Sequence, residues 1–173
     1  MSTVTNIVFA GLGGQGIIKA ADILAEAATA SGFDVRQSEV HGMSQRGGSV
    51  SSDVRFGEKV YSPMVPPGGA DFLVVMDATQ VDNFRHRMKE GGLLIEPGLL
   101  LGDEYDDIED LDDDDDTPLT RRNFNIAMLG ALSAHLPIDD AVWTEAIKAN
   151  LPAKVHAENF EVFALGREKA KEA

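Results

Sequence analysis

Three glycines, Gly11, Gly13 and Gly16, punctuate "GLGGQG" with the G-x-G-x-x-G spacing, after an apolar run and ahead of an alanine-rich helical stretch. The chemistry of that arrangement is anion binding. Gly11 permits a tight turn, Gly13 lets a ligand approach the backbone and Gly16 lets the helix pack closely. The free N–H groups and the helix dipole favour negative charge, and Gly14 and Gln15 complete the loop. A dinucleotide would also need an acid at the end of the second strand, where Glu39 stands, further from the loop than the usual ~20 residues. The loop is therefore either a dinucleotide site or a close strand-helix turn.

A second constellation, "EVHGMSQRGGS", sets His41, Gln45 and Arg46 among Gly42, Gly47 and Gly48. These polar side chains have little use in a core and suit an anionic group held in a cleft. The alternative for Arg46 is an ion pair with a carboxylate such as Glu39 that pins the loop. Asp77, closing "FLVVMD", is either a catalytic acid at a strand end or the cap of the following helical turn. The chain contains no nucleophile elbow, Walker loop or histidine-rich metal set.

The elements that position these residues follow from periodicity. Thr5–Ala10 reads as a buried strand, Ile17–Ser31 as a helix stopped by Gly32, and Asp34–Val40 as a second strand parallel to and paired with the first. Ser49–Phe56 and Lys59–Ser62 alternate around Gly57 and Glu58 as a hairpin, and Pro63–Gly69 is a loop because its prolines withhold ladder donors. Phe72–Met76 and Leu93–Ile95 are further strands, flanking a helical stretch near Val81–Lys89. Phe124–His135, Asp139–Asn150 and Glu158–Lys171 are helices, with Pro137 and Pro152 at the breaks. The fold class is α/β: a Rossmann-like three-layer αβα arrangement with a mostly parallel sheet, an inserted β-hairpin and C-terminal helices. Gly11–Gly16, His41–Gly48 and Asp77–Thr79 should then meet at the carboxyl ends of the strands, where such sheets bind ligands.

Composition narrows the function. The 173 residues, 43% apolar, fit one domain spanning 1–173. The net charge of −14 disfavours nucleic acid and anionic membranes, but eleven acids lie in Asp103–Asp116, and without them the charge is −3. That run lacks EF-hand spacing and reads as a solvated, flexible acidic loop at 103–118. No apolar stretch reaches membrane-span length and "MSTVTNIVF" has no signal-peptide features, so a cytoplasmic protein is expected. With no cysteine, the chain cannot ligate an iron-sulfur cluster through thiolates or use a cysteine nucleophile.

Several stretches together resemble the gamma subunit of the 2-oxoacid:ferredoxin oxidoreductases, whose equivalent in indolepyruvate oxidoreductase is called beta. They are "GLGGQGIIKAADILAEAA", "EVHGMSQRGGSVSSDVRFG", "VYSPMVPPGGADFLVVMD", "NIAMLGAL" and "ENFEVFALG". The acidic run departs from the family pattern. The resemblance implies a subunit of an enzyme that oxidatively decarboxylates a 2-oxoacid, usually to acyl-CoA. Thiamine diphosphate, Mg, iron-sulfur clusters and coenzyme A are carried largely by partner alpha and beta subunits, and by a ferredoxin-like delta subunit where one is present. Ferredoxin is the electron acceptor of the complex, although the acidic run would repel an acidic ferredoxin from this chain. The chain alone should be inactive and prone to self-association as a homodimer. Its share is assembly and closure of the active site, with docking of the coenzyme A phosphates at Gly11, Gly13, Gly14, Gln15, Gly16, His41, Gln45, Arg46, Gly47 and Gly48 as the further expectation. The runner-up is a free-standing dinucleotide-binding regulator.

Overall fold

The computed structural model describes residues 3–42, 48–102, 108–111 and 116–173. Gln45, Arg46 and Gly47, and most of the acidic run, lie outside the described residues. Five strands, β1 (Val4–Leu12), β2 (Asp34–His41), β3 (Ser49–Gly57), β4 (Ala70–Val75) and β5 (Met88–Ile95), form one sheet in the order β2-β3-β1-β4-β5. β1 pairs in parallel with β4, and β4 with β5, while β3 runs antiparallel to both β1 and β2. β1 is central and buried on both faces, which accounts for its unbroken apolar run. With the two-residue period of a strand, Ile7 and Phe9 enter the larger core and Val8 and Ala10 the smaller one behind it.

This topology corrects the expected strand pairing in two places. β2 runs in the same direction as β1 but does not touch it, because β3 lies between them. The hairpin is β2–β3, closed by the Gly42 N–H donating to Ser49 O at 2.7 Å, so the glycine-rich segment that follows His41 is its connection. Lys59–Ser62 forms no strand. Both edges of β3 are already occupied, by β1 and β2, which leaves no ladder for it to join. The helical stretch expected near Val81–Lys89 is also shorter. It comprises α2 (Val81–Phe84) between single 3-10 turns, and β5 begins at Met88. Gly91, at φ 78°, accompanies the register shift between Ala70 and Phe72 that this early start requires.

The larger core lies under helices. α1 (Ile17–Ala30) buries Ile17, Ala20, Ala21, Ile23, Leu24, Ala27 and Ala28, the spacing of one helical face, and stops where Gly32 turns at φ 93°. α3 (Gly98–Leu101) follows β5, and α4 (Phe124–Ser133), α5 (Asp140–Asn150) and α6 (His156–Glu172) close the chain. Every residue of α4 is buried, which explains why it is apolar all round rather than amphipathic. Gly130 of α4 and Gly166 of α6 let the helix backbones touch: a Cβ on Gly130 would overlap Phe163 O, and one on Gly166 would overlap Ala127 O. Thus "NIAMLGAL" and "ENFEVFALG" fasten to each other.

The second face of the sheet has a thinner cover. Val65, Val81 and partly buried Phe84 pack against Val8, Ala10, Leu73 and Val75, so a loop and short helical turns serve as this layer. Within the acidic run, the described residues 108–111 bury Ile108 and Leu111 in the larger core. No helix among the described residues is long and apolar enough to cross a membrane.

Candidate functional site

The ends of β1, β2 and β4 and the start of β3 all lie at one edge of the sheet, and the glycine turn is built there by side chains of its own motif. The Leu12 N–H donates to Gln15 Oε1 at 2.8 Å, folding the loop back on β1, and Gln15 Nε2 donates to Asp77 Oδ2 at 2.8 Å. Met76 N–H donates to Ala10 O at 2.8 Å, so the end of β4 is tied to the end of β1 by backbone as well. Gln15 thus braces the turn through both ends of its amide. A Cβ on Gly11 would sit 2.7 Å from Ile17 Cδ1 and 3.2 Å from Met76 Cβ, which is the close strand-helix approach its glycine permits.

Gly16 begins α1 in the left-handed region at φ 75° and brings no side-chain cap. Asn125, the first residue of "NIAMLGAL", donates from Nδ2 to Gly16 O at 3.1 Å. The first intrahelical bond is Ala20 N–H to Gly16 O, so the N–H groups of the first turn have no acceptor within the helix. Together with the exposed backbone of Gly13 and Gly14, this gives an anion an approach along the helix dipole. Among the described residues, no atom lies within 4 Å of where a Gly14 Cβ would be.

The second loop joins this edge directly. Gly13 N–H donates to Gly48 O at 3.0 Å, so the glycine turn and the end of the "HGMSQRGGS" loop meet. Ser49 Oγ donates to Gln80 Oε1 at 2.7 Å, tying the start of β3 to the turn after β4. Asp77 is 2% exposed and accepts from Thr79 N–H at 2.9 Å and from the Thr79 hydroxyl, which makes it the cap of that turn. His41 is exposed on edge strand β2, its ring nitrogen Nε2 3.2 Å from Glu39 Oε2. Glu39 is therefore engaged by His41. It stands two strands from β1, roughly 10 Å away at ordinary strand spacing, and not on the adjacent strand where a ribose-binding acid belongs.

Gly11, Gly13, Gly14, Gln15, Gly16 and Gly48 are thus gathered at one edge, with His41 at its flank. Asn125, Gln80 and Ser49 were missed as site-building residues. The signal for Asn125 was its place at the head of the "NIAMLGAL" motif; Gln80 and Ser49 carried none. Among the described residues, no group of three His, Asp or Glu side chains gathers to hold a metal.

Residues 6–99 match the family described as pyruvate ferredoxin/flavodoxin oxidoreductase. The chain belongs to that family. It is 34% identical over 96% of both chains to the indolepyruvate oxidoreductase subunit IorB of Thermococcus kodakarensis. A 2-oxoglutarate synthase subunit KorC of Methanothermobacter marburgensis is 29% identical over 94% of each chain. Among solved structures, the keto/oxoacid ferredoxin oxidoreductase gamma subunit of Geobacter sulfurreducens superposes with a TM-score of 0.78 and 25% identity, covering 98% of this chain and 99% of that one. The 2-oxoglutarate:ferredoxin oxidoreductase of Magnetococcus marinus, solved with 2-oxoglutarate, coenzyme A and succinyl-CoA bound, matches with a TM-score of 0.79 at 22% identity. There the fold accounts for 31% of a longer chain. The mixed sheet, with β3 inserted beside β1, differs from the strand order of a dinucleotide-binding unit.

Proposed function

We propose that this chain is the gamma-type subunit of a 2-oxoacid:ferredoxin oxidoreductase that helps close the active site and receives the phosphates of coenzyme A at its strand-end edge. The observation that carries the reading is the Gly13 N–H to Gly48 O bond, which makes one surface of two glycine-rich loops beside the uncapped start of α1. The residues present fit a phosphate: no atom of the described residues stands within 4 Å of a Gly14 Cβ position, and the first-turn N–H groups of α1 have no internal acceptor. Coenzyme A supplies the thiol that accepts the acyl group. The share of this chain is to hold its charged end, with Gly13 and Gly14 permitting close approach, with His41 at the flank, and with Arg46 of the adjoining sequence as the further cation expected to contribute. Asp77 does not oppose the anion, because it is buried and committed to Thr79 and Gln15.

Without cysteine on this chain, iron-sulfur ligation by thiolates falls to partner subunits, as does the thiamine diphosphate chemistry with its Mg. The isolated chain is then inactive in 2-oxoacid-dependent viologen reduction, and the reconstituted complex is active with ferredoxin as acceptor. The KM for coenzyme A in a complex carrying Gly13→Ala or Arg46→Ala tests the assignment. A rise in that KM with assembly unchanged is the expected result. Impaired assembly with an unchanged KM would make the edge a subunit contact only, and tight NAD binding by the isolated chain in calorimetry would overturn the reading altogether.

A further inference from the structure

Leu12 and Ser49 stand opposite each other in the β1–β3 ladder, and side chains join them a second time around the strand-end edge. On one side Leu12 N–H donates to Gln15 Oε1, and Gln15 Nε2 donates to Asp77 Oδ2, at 2.8 Å each. On the other, Ser49 Oγ donates to Gln80 Oε1 at 2.7 Å, Gln80 Nε2 to Thr79 Oγ1 at 3.3 Å, and the Thr79 hydroxyl to Asp77 Oδ1. The two arms close a ring through Asp77. Beside it lies the Gly13 N–H to Gly48 O bond, between the residue after Leu12 and the residue before Ser49. The direction of every bond in the ring is forced. Leu12 N–H can only donate, so the Gln15 amide turns its oxygen to Leu12 and its nitrogen to Asp77. The Thr79 hydroxyl gives its proton to the carboxylate and so accepts from Gln80 Nε2, which leaves Gln80 Oε1 to accept from Ser49 and, at 3.2 Å, from Asn83 Nδ2. Every donor along both arms points toward Asp77, which is 2% exposed and has no cationic partner among the described residues.

A carboxylate that served only to cap the turn after β4 would need the Thr79 N–H alone, accepted at 2.9 Å. Asp77 also receives the last link of two arms, and these begin at the two loops that form the proposed phosphate surface. We infer that Asp77 is the positioning residue of this edge. Through Gln15 it fixes the glycine turn, and through Thr79 and Gln80 it fixes Ser49 and the loop end before it. It thereby sets the spacing of the two loops without touching the ligand. Hydrogen bonds to an ionised acceptor are roughly twice as strong as neutral ones, and in a buried network each bond polarises the next. One buried carboxylate can therefore hold both arms where a neutral hub would hold them loosely. The identity of the ligand rests on the coenzyme A reading above; the ring itself does not.

Asp77→Asn separates the hub from the cap, because asparagine caps a helical turn as well as aspartate does. The new amide keeps its oxygen on Thr79 and turns its nitrogen toward Gln15 Nε2, so two donors face each other and Gln15 must let go. Adding Gln15→Glu to that variant restores the match, since the glutamate accepts from Leu12 N–H and from the new amide at once. The readouts are hydrogen exchange of the Leu12 amide in the full-length chain, and KM for coenzyme A against kcat in the reconstituted complex. Asp77→Asn should speed Leu12 exchange and raise that KM, each roughly tenfold, with a smaller change in kcat, and Asp77→Asn/Gln15→Glu should restore Leu12 protection. Ser49→Ala should also raise the KM, whereas Ser49→Thr, which keeps the hydroxyl, should not. Wild-type Leu12 exchange and wild-type KM in Asp77→Asn would leave Asp77 a cap only and overturn the inference. A KM that Gly13→Ala raises and Asp77→Asn leaves alone overturns it while the coenzyme A reading stands; a KM that neither raises defeats that reading and the inference with it. Should Asp77→Asn not fold, the Asp77→Asn/Gln15→Glu pair decides: folding with Leu12 protected supports the ring, and failure to fold overturns it.

Discussion

Replacing Gly16 with alanine probes the joint between the glycine turn and the C-terminal helices. Two costs follow from the geometry. At φ 75° an alanine is strained in the left-handed region by about 1–2 kcal/mol. Its Cβ would also overlap the amide of Asn125, lying 2.8 Å from Cγ and 3.2 Å from Cβ, so that turning the amide alone gives no full relief. Overpacking of that kind costs about 1–3 kcal/mol. The alanine regains roughly 0.4–1 kcal/mol by restricting the unfolded chain, leaving a net destabilisation of about 1–4.6 kcal/mol. For a chain of this length that lowers Tm by roughly 2–18 °C. Thermal and urea unfolding of Gly16→Ala, Asn125→Ala and the double variant separate the two terms. Removing the Asn125 amide should relieve the overlap and leave the backbone strain, so the double variant should be more stable than the sum of the single losses predicts by roughly 1–3 kcal/mol. Additive losses, within about 0.5 kcal/mol, would refute the claim that Asn125 is the group that demands glycine at this position.

Gly130→Ala and Gly166→Ala should each cost about 3 kcal/mol or more, because the added methyl meets helix backbone that cannot rotate away; urea midpoints or the yield of folded protein report it. Arg87→Ala should cost toward the lower end of ~3–5 kcal/mol in urea unfolding, since it leaves the Asp53 carboxylate, 6% exposed, without its cation. Asp34 titrates below the ordinary aspartate range, chiefly because its carboxylate accepts the Val60 N–H, with Arg36 and Lys59 adding attraction against the opposing effect of burial. Its folded-state pKa is depressed, so its contribution is complete above the unfolded value near 3.8 and is lost as pH falls through the lower folded value. The Val60 amide resonance should therefore move only below about pH 4, and should show no such titration in Asp34→Asn.

The strands and helices that were legible in the sequence are those whose burial imposes a period. β1, α1 and β4 carry long apolar patterns because each packs against a core on one face or both, and α4, α5 and α6 were bounded by Pro137 and Pro152. The pairing of β2 was not legible. A helix between two strands shows that they run in the same direction, and it says nothing about a third strand entering between them. From Ser49 to Gly57 the β3 backbone is laddered to β1 on one side and β2 on the other, and Lys59–Ser62 is then excluded from the sheet although its pattern resembles a strand. Asp34, Asp53 and Arg55, whose side chains hold the segment between β3 and β4, were equally hidden, since polar residues within strands ordinarily mark a solvent face.

That inserted strand is also what decides the meaning of the glycine fingerprint. In a unit where the second strand adjoins the first, the same spacing of Gly11, Gly13 and Gly16 would place a ribose-binding acid one strand away. Here β3 occupies that position, and its first residues present Ser49 toward Gln80 instead of a carboxylate toward a ribose. The anion-binding half of the motif survives, because it depends only on the strand-turn-helix geometry of β1 and α1, while the ribose half is removed by topology. On the reading proposed above, the ligand brings its phosphates to Gly13 and Gly14 and draws its remaining contacts from elsewhere in the complex. Calorimetry of the isolated chain with NAD and with coenzyme A tests the topological argument directly, since tight NAD binding would refute it.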